Sequence, residues 1–265
     1  MFDTVKIGFI GFGNMASALA TGWIGKQVIQ PKQIYACAKN WEKLCEKVKE
    51  TGIQPCKNAM EVTDNVDIVV IAVKPYMVEE VITPIREKLK DKIVVSVVAG
   101  YPFERYERVL EKGTAHISTI PNTPVSIGEG ILVCEERHSL TEQQWNLVKQ
   151  LFSTIALVQL VDTKLLSVAG TICGCGPAFV SMFLEALGDA GVKYGIPREI
   201  AYELTAQMIA GTGKLQSATK THPAAMKDAV CSPGGTTIRG VSALEKNGFR
   251  SAVIQAIDAI EGTGK

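Results

Sequence analysis

The chain has little of what hydrolytic or metal chemistry needs. Of 265 residues only three are histidine. His116 falls in a predicted strand, and His138 and His222 open predicted helices in polar turns, none beside a plausible catalytic partner. The seven cysteines (Cys37, Cys45, Cys56, Cys134, Cys173, Cys175 and Cys231) form no CxxC pair. That spacing points away from a metal or disulfide framework and toward reduced thiols acting as small buried side chains. Charged residues make up 21% of the chain and sum to +1, with no long run of one sign. Neither nucleic acid nor a membrane surface finds an electrostatic footprint there. Charges or glycines interrupt every apolar stretch before the ~18–20 residues of a membrane span. Residues 1–6 lead straight into a strand rather than reading as a secretory signal, so a cytoplasmic protein is expected. What is present is a 46% hydrophobic chain, long enough for two ordinary domains with a real core.

The first half alternates β-rich runs with helical stretches. Strands are predicted at 5–10, 33–38, 67–73, 92–99, 115–120, 131–134 and 156–161. Helices are predicted at 14–26, 41–50, 78–89 and 142–152. DIVVIAV (67–73) is apolar without alternation, as a strand covered on both faces should be. This is the pattern of βαβ units and a parallel, doubly wound sheet. After about Asp162 the strands stop, and helical spacing is predicted at 165–194, 198–219, 224–230 and 249–261. The domains expected are therefore 1–162 and 163–265. LLSVAGTICGCGPAFVSMFLEALGDAGV is apolar nearly all round. With only about 100 residues to surround it, an obligate homo-oligomer is expected rather than a large bundle.

The first strand runs into GFIGFGNMASALA. Gly11-x-Gly13-x-x-Ala16 matches a dinucleotide fingerprint. Gly11 allows the tight turn, Gly13 lets pyrophosphate approach the backbone, and Ala16 lets helix and strand pack closely. Asn14 and Met15 then open a helix whose N-terminus presents free N–H groups to phosphate. The second strand ends at Ala38-Lys39-Asn40, where an NAD site usually places a carboxylate. A cation and an amide suit a 2′-phosphate, so NADPH is expected, with NADH at lower preference. Two further loops fall at carboxyl ends of strands: Ala72-Val73-Lys74-Pro75, and Pro121-Asn122 within IPNTP. Together they are expected to line the nicotinamide.

Hydroxyacid dehydrogenases of this layout carry a lysine shortly after a Gly-rich stretch on the first helix of the second domain. Here Gly170-x-x-x-Gly174-x-Gly176 is followed by Pro177-Ala178-Phe179-Val180-Ser181, with no lysine. That argues for a substrate whose reduction needs no strong base, such as a C=N bond. CSPGGTTIRG (231–240) interrupts the helical half with a proline, two glycines and two threonines. Its amides and a helix N-terminus could hold a carboxylate, and a threonine hydroxyl could hold an imine nitrogen. A helix–helix connection capped by Thr236 or Thr237 explains the same residues equally well.

Taken in order, GFIGFGNMA, AVKP, PNTP, GCGPAF and DAVCSPGGTTIRGVSALE resemble the pyrroline-5-carboxylate reductase family over about residues 7–245. The resemblance implies a Rossmann-type nucleotide domain followed by an all-helical dimerisation domain. It implies reduction of 1-pyrroline-5-carboxylate to proline by a homodimer or larger assembly, with the site where subunits meet. Gly11, Gly13, Asn14, Met15, Lys39 and Asn40 would then bind the cofactor, and Lys74 would lie near the ribose and substrate. Val230, Ser232, Gly234, Gly235 and Thr236 would cradle the substrate, and Thr237 would hydrogen-bond the ring nitrogen. Cys175 stands where the family usually has Ser, Ile120 where it has Met, and Lys39-Asn40 where an Asn-Arg pair is typical. A six-membered cyclic imine as substrate, and a silent NADP-binding relative, are the alternatives.

Overall fold

A computed structural model describes residues 2–262; Met1 and residues 263–265, at the outer edges of the two expected domains, lie outside the described residues. The strands are β1 (Ile7–Ile10), β2 (Ile34–Cys37), β3 (Gln54–Pro55), β4 (Ile68–Ile71), β5 (Ile93–Ser96), β6 (Ala115–Pro121), β7 (Gly130–Glu135) and β8 (Ala156–Val161). Among them lie α1 (Asn14–Gly25), α2 (Trp41–Val48), α3 (Ala59–Asp64), α4 (Val78–Ile82), α5 (Arg86–Leu89), α6 (Phe103–Val109) and α7 (Glu142–Ser153). The remaining helices are α8 (Leu166–Lys193), α9 (Arg198–Thr219), α10 (Pro223–Ala229), α11 (Thr236–Lys246) and α12 (Phe249–Glu261).

The sheet order is β3-β2-β1-β4-β5-β6-β7-β8, and the chain reverses direction of travel between β1 and β4. Both strands are buried on both faces because alternate side chains serve two separate cores. Ile68 and Val70 join Phe9, Trp23 and Phe152 on one face, while Val69 and Ile71 join Ile10, Ile82 and Tyr106 on the other. That explains the unalternated apolar run of β4. Trp23 of α1 meets the ring of Phe152 of α7 edge-on at 5.0 Å, and its indole N–H donates to the Leu151 carbonyl at 3.2 Å.

Three expectations need correction here. The sheet is not wholly parallel: β6 and β7 pair antiparallel. Residues 122–129 connect them, too few for the dozen or so that a parallel crossover needs. The helix expected at 78–89 is two short helices, because Pro84 lies in a 3₁₀ turn, Thr83–Ile85, between them. The short α3 and α6 were not foreseen, although Asn58 caps α3 by accepting from the Glu61 amide at 2.9 Å.

The chain divides into two units between Gly174 and Cys175, inside α8. The first turns of α8 belong with the sheet. A Cβ at Gly170 would lie 2.4 Å from Ile120 Cδ1, and the Cys173 carbonyl accepts from Asn122 Nδ2 at 3.2 Å.

From Cys175 onward, only Gly188, Ala201 and Thr205 are buried among the described residues. Met182, Leu204 and Ile254 are each more than half exposed, at 69%, 58% and 61%. Apolar exposure of this extent is more than scattered surface residues account for. The segment Thr163–Lys193 is also long and apolar enough to cross a membrane by length and composition, contrary to the expectation that no stretch would be.

Candidate active site

The loops after β1, β2, β4 and β5 open at one edge of the sheet because these strands end in register. Ile10 lies opposite both Cys37 and Ile71, and Ile71 lies opposite Ser96. The loop amides continue the ladder: Gly11 N–H donates to the Cys37 carbonyl at 3.0 Å and Ala72 N–H to the Ile10 carbonyl at 2.8 Å. Between them is a cleft of about 730 Å³. This is where a doubly wound sheet binds its ligand, at the point where strand order reverses.

Gly11 stands at φ +91°, and a Cβ there would lie 2.6 Å from the Ala72 carbonyl oxygen. Gly13 is ordinary in φ and has nothing within 4 Å of a built Cβ, so open space faces its backbone. It is the N-cap of α1 and offers no side chain to the helix's free N–H groups. Those donors and the positive end of the helix dipole face the cleft, the arrangement that receives a pyrophosphate. The residues present fit a dinucleotide.

Gly11, Gly13, Asn14, Met15, Lys39, Asn40, Ala72, Val73 and Lys74 all line the cleft. Ala16 does not; it is buried under the fingerprint, where its small size lets α1 sit close to the sheet. Pro121 and Asn122 do not line it either; their neighbour Thr123 does. Asn122 is buried, its Oδ1 accepting from Ile131 N–H at 2.8 Å and its Nδ2 donating to Cys173. The loop predicted to touch the nicotinamide is held by an amide that ties β7 and α8 to it. Asn40 Oδ1 caps α2 by accepting from Lys43 N–H at 2.9 Å.

Sequence reasoning missed Phe12, Lys43 and Lys47. The two lysines lie four apart on α2, a spacing that puts both on one face. Lys47 Nζ lies 3.4 Å from the Gly13 carbonyl and 5.5 Å from the Phe12 ring centroid. Partial burial, then repulsion from Lys43, lowers its pKa below the usual lysine value. Cys37 under the cleft floor is no nucleophile, since burial pushes its thiol up to about 11.

In the helical unit, Gly234 stands at φ +69° and Gly235 is the N-cap of α11. Neither Thr236 nor Thr237 caps the helix, which rules out that part of the plain-connection reading. The Gly235 amide is spent on the Ser232 carbonyl at 3.0 Å. The amides and hydroxyls of Thr236 and Thr237, at the first two positions of α11, have no partner among the described residues. Val230 closes α10, and it and Ser232 are exposed beside this loop.

A reductase from Treponema pallidum named pyrroline-5-carboxylate reductase is 40% identical over 259 residues, covering 96% of this chain and 98% of its own. The chain belongs to the pyrroline-5-carboxylate reductase family. The Escherichia coli member is 37% identical over 95% of this chain and 94% of its own. The Plasmodium falciparum pyrroline carboxylate reductase, solved with NADP bound, superposes with a TM-score of 0.88 at 30% identity, covering 97% of this chain and 96% of its own. The family model for pyrroline-5-carboxylate reductase dimerisation matches residues 163–264, and that for coenzyme F420-dependent NADP oxidoreductases matches residues 6–100. The dimerisation match covers α8 and the helical unit in which almost nothing is buried.

Proposed function

We propose that this reductase binds NADPH in the cleft at the sheet edge and holds 1-pyrroline-5-carboxylate on the loop that opens α11. The reaction is reduction of the ring C=N bond to give proline. NADPH, when bound, supplies the hydride. Gly11 and Gly13 clear the backbone for its pyrophosphate, the α1 N-terminus supplies amide donors, and Lys39 and Lys74 supply positive charge.

Residues of the 232–237 loop do the rest. The carboxylate of the substrate rests on the free Thr236 and Thr237 amides at the positive end of α11. The Thr237 hydroxyl accepts from the protonated ring nitrogen, and keeps the iminium aligned. A protonated imine is already electrophilic, so no strong base is required, consistent with the lysine missing after Gly176. The observation that carries this assignment is that both threonines stand at a helix start with amide and hydroxyl unspent, while a glycine does the capping.

The active form is proposed to be a homodimer or a larger homo-oligomer, since the helical unit buries almost nothing by itself. The cytoplasm is our proposed location, a reading supported by seven unpaired cysteines. No membrane or nucleic-acid partner is proposed.

The test is Thr237→Ala. Losing one hydrogen bond to a charged group, about 1.5–3 kcal/mol, should lower kcat roughly 10–100-fold with NADPH affinity near that of the parent. Equal losses in both would refute the role given to Thr237. Side-by-side rates on the five- and six-membered imino acids decide which ring the loop prefers.

A further inference from the structure

Three ammonium groups gather at one end of the cleft. Lys39 follows β2, and Lys43 and Lys47 lie on the first two turns of α2. Among the described residues none of the three is in an ion pair, although lysines elsewhere, such as Lys88 with Asp64, are. Glu42 and Glu46 lie on the same helix but do not line the cleft.

Like charges four apart on a helix repel, and here one of them also lies over the Phe12 ring. Such a cluster is unfavourable alone and becomes favourable when a dianion sits among it. Asn40, whose Oδ1 caps α2, is left with only its amide N–H groups to offer an anion. Lysine also lacks the two-pronged grip of an arginine, so several point charges are needed where one guanidinium would serve.

We propose that Lys43 and Lys47, together with Lys39, form the clamp that reads the third phosphate of NADPH and sets its preference over NADH. The assignment rests on the NADPH reading of the cleft. It moves the weight of that preference from the loop after β2 onto the exposed face of α2. Lys47, held against the Gly13 carbonyl, also ties this clamp to the fingerprint turn.

The experiment compares Lys43→Gln, Lys47→Gln and the double variant with the parent, with Lys47→Arg as the charge-conserving control. For each single Gln variant the ratio of kcat/KM for NADPH to that for NADH should fall about tenfold, and for the double about a hundredfold. Lys47→Arg should keep most of the parent ratio. Added salt should shrink the parent's ratio, because exposed charge pairs are screened. An unchanged ratio, or equal losses with both cofactors, would overturn the proposal. Calorimetric titration of 2′,5′-ADP against 5′-AMP reads the clamp without turnover. If the parent fails to reduce pyrroline-5-carboxylate, the reductase reading falls. The clamp stands if the Gln variants still lose 2′,5′-ADP affinity, and it falls if they do not or if the parent binds none.

Discussion

Gly11 and Gly13 sit two residues apart in one turn, yet the structure gives them different tasks, and Ala substitutions should separate these. At Gly11 an L-residue would occupy φ +91°, and its Cβ would lie 2.6 Å from the Ala72 carbonyl oxygen and 2.8 Å from Val73 Cγ1. Left-handed backbone costs an alanine about 1–2 kcal/mol. Forcing a methyl against a neighbouring backbone carbonyl, which cannot rotate away, adds about 1–3 kcal/mol. The sum, about 2–5 kcal/mol, should lower the melting temperature by on the order of 10 °C. At Gly13 a Cβ meets nothing within 4 Å. Its backbone is extended, so alanine is allowed, and the weaker N-cap is offset by reduced freedom in the unfolded chain. Gly13→Ala should therefore stay within about 1 kcal/mol of the parent. The methyl instead fills the space through which pyrophosphate approaches, and NADPH affinity should fall by about tenfold or more. Thermal unfolding without cofactor, followed by NADPH titration of each variant, separates the two. A Gly11→Ala protein as stable as the parent, or a Gly13→Ala protein destabilised as much as Gly11→Ala, would refute the reasoning.

Two further outcomes are expected. Asn122→Ala removes two partly buried hydrogen bonds, to Ile131 and Cys173, and leaves a donor and an acceptor unpaired. It should cost about 2–4 kcal/mol in denaturant unfolding of the first unit while leaving the KM for NADPH near the parent value. Burial first, and then the proximity of His116, lowers the pKa of His138, whose ring stacks on Trp145. A base with a depressed folded pKa binds fewer protons than the unfolded chain does. Its contribution is therefore fully present above the unfolded value of about 6.5 and is lost as pH falls through the lower folded value. His138→Gln should flatten the slope of stability against pH in that acidic window and leave it unchanged above neutrality. A slope identical to the parent's would refute the role given to His138.

Local chemistry made much of the site readable from the chain. The fingerprint turn is legible because only glycine tolerates φ +91° against a neighbouring strand. The β4 run is legible because a strand covered twice has no polar face to show. Helix ends at Arg198–Thr219 and Phe249–Glu261 coincide with the predicted ones, since Pro197 and Gly248 stop the backbone locally. The pieces that escaped depend on distant partners. The tie that Asn122 makes between β7 and the start of α8 is visible only once both have closed around it. Glu135, fully buried, accepts from Phe103 N–H at 2.6 Å and Thr163 Oγ1 at 2.7 Å, joining segments far apart in sequence. Lys43 and Lys47 look like ordinary solvated helix charges until α2 is laid beside the Gly13 turn.

By itself the sequence determined the order of elements, the nucleotide turn after β1 and the motif order that marks the family, because these depend on backbone sterics and residues adjacent in the chain. Only the tertiary structure decided that β7 runs antiparallel, that Ala16 packs while Lys47 faces the cleft, that Gly235 rather than a threonine caps α11, and that the helical unit has almost no interior of its own. Each depends on which surfaces meet across long separations, and a buried or exposed surface is a property of the folded chain, not of any stretch within it.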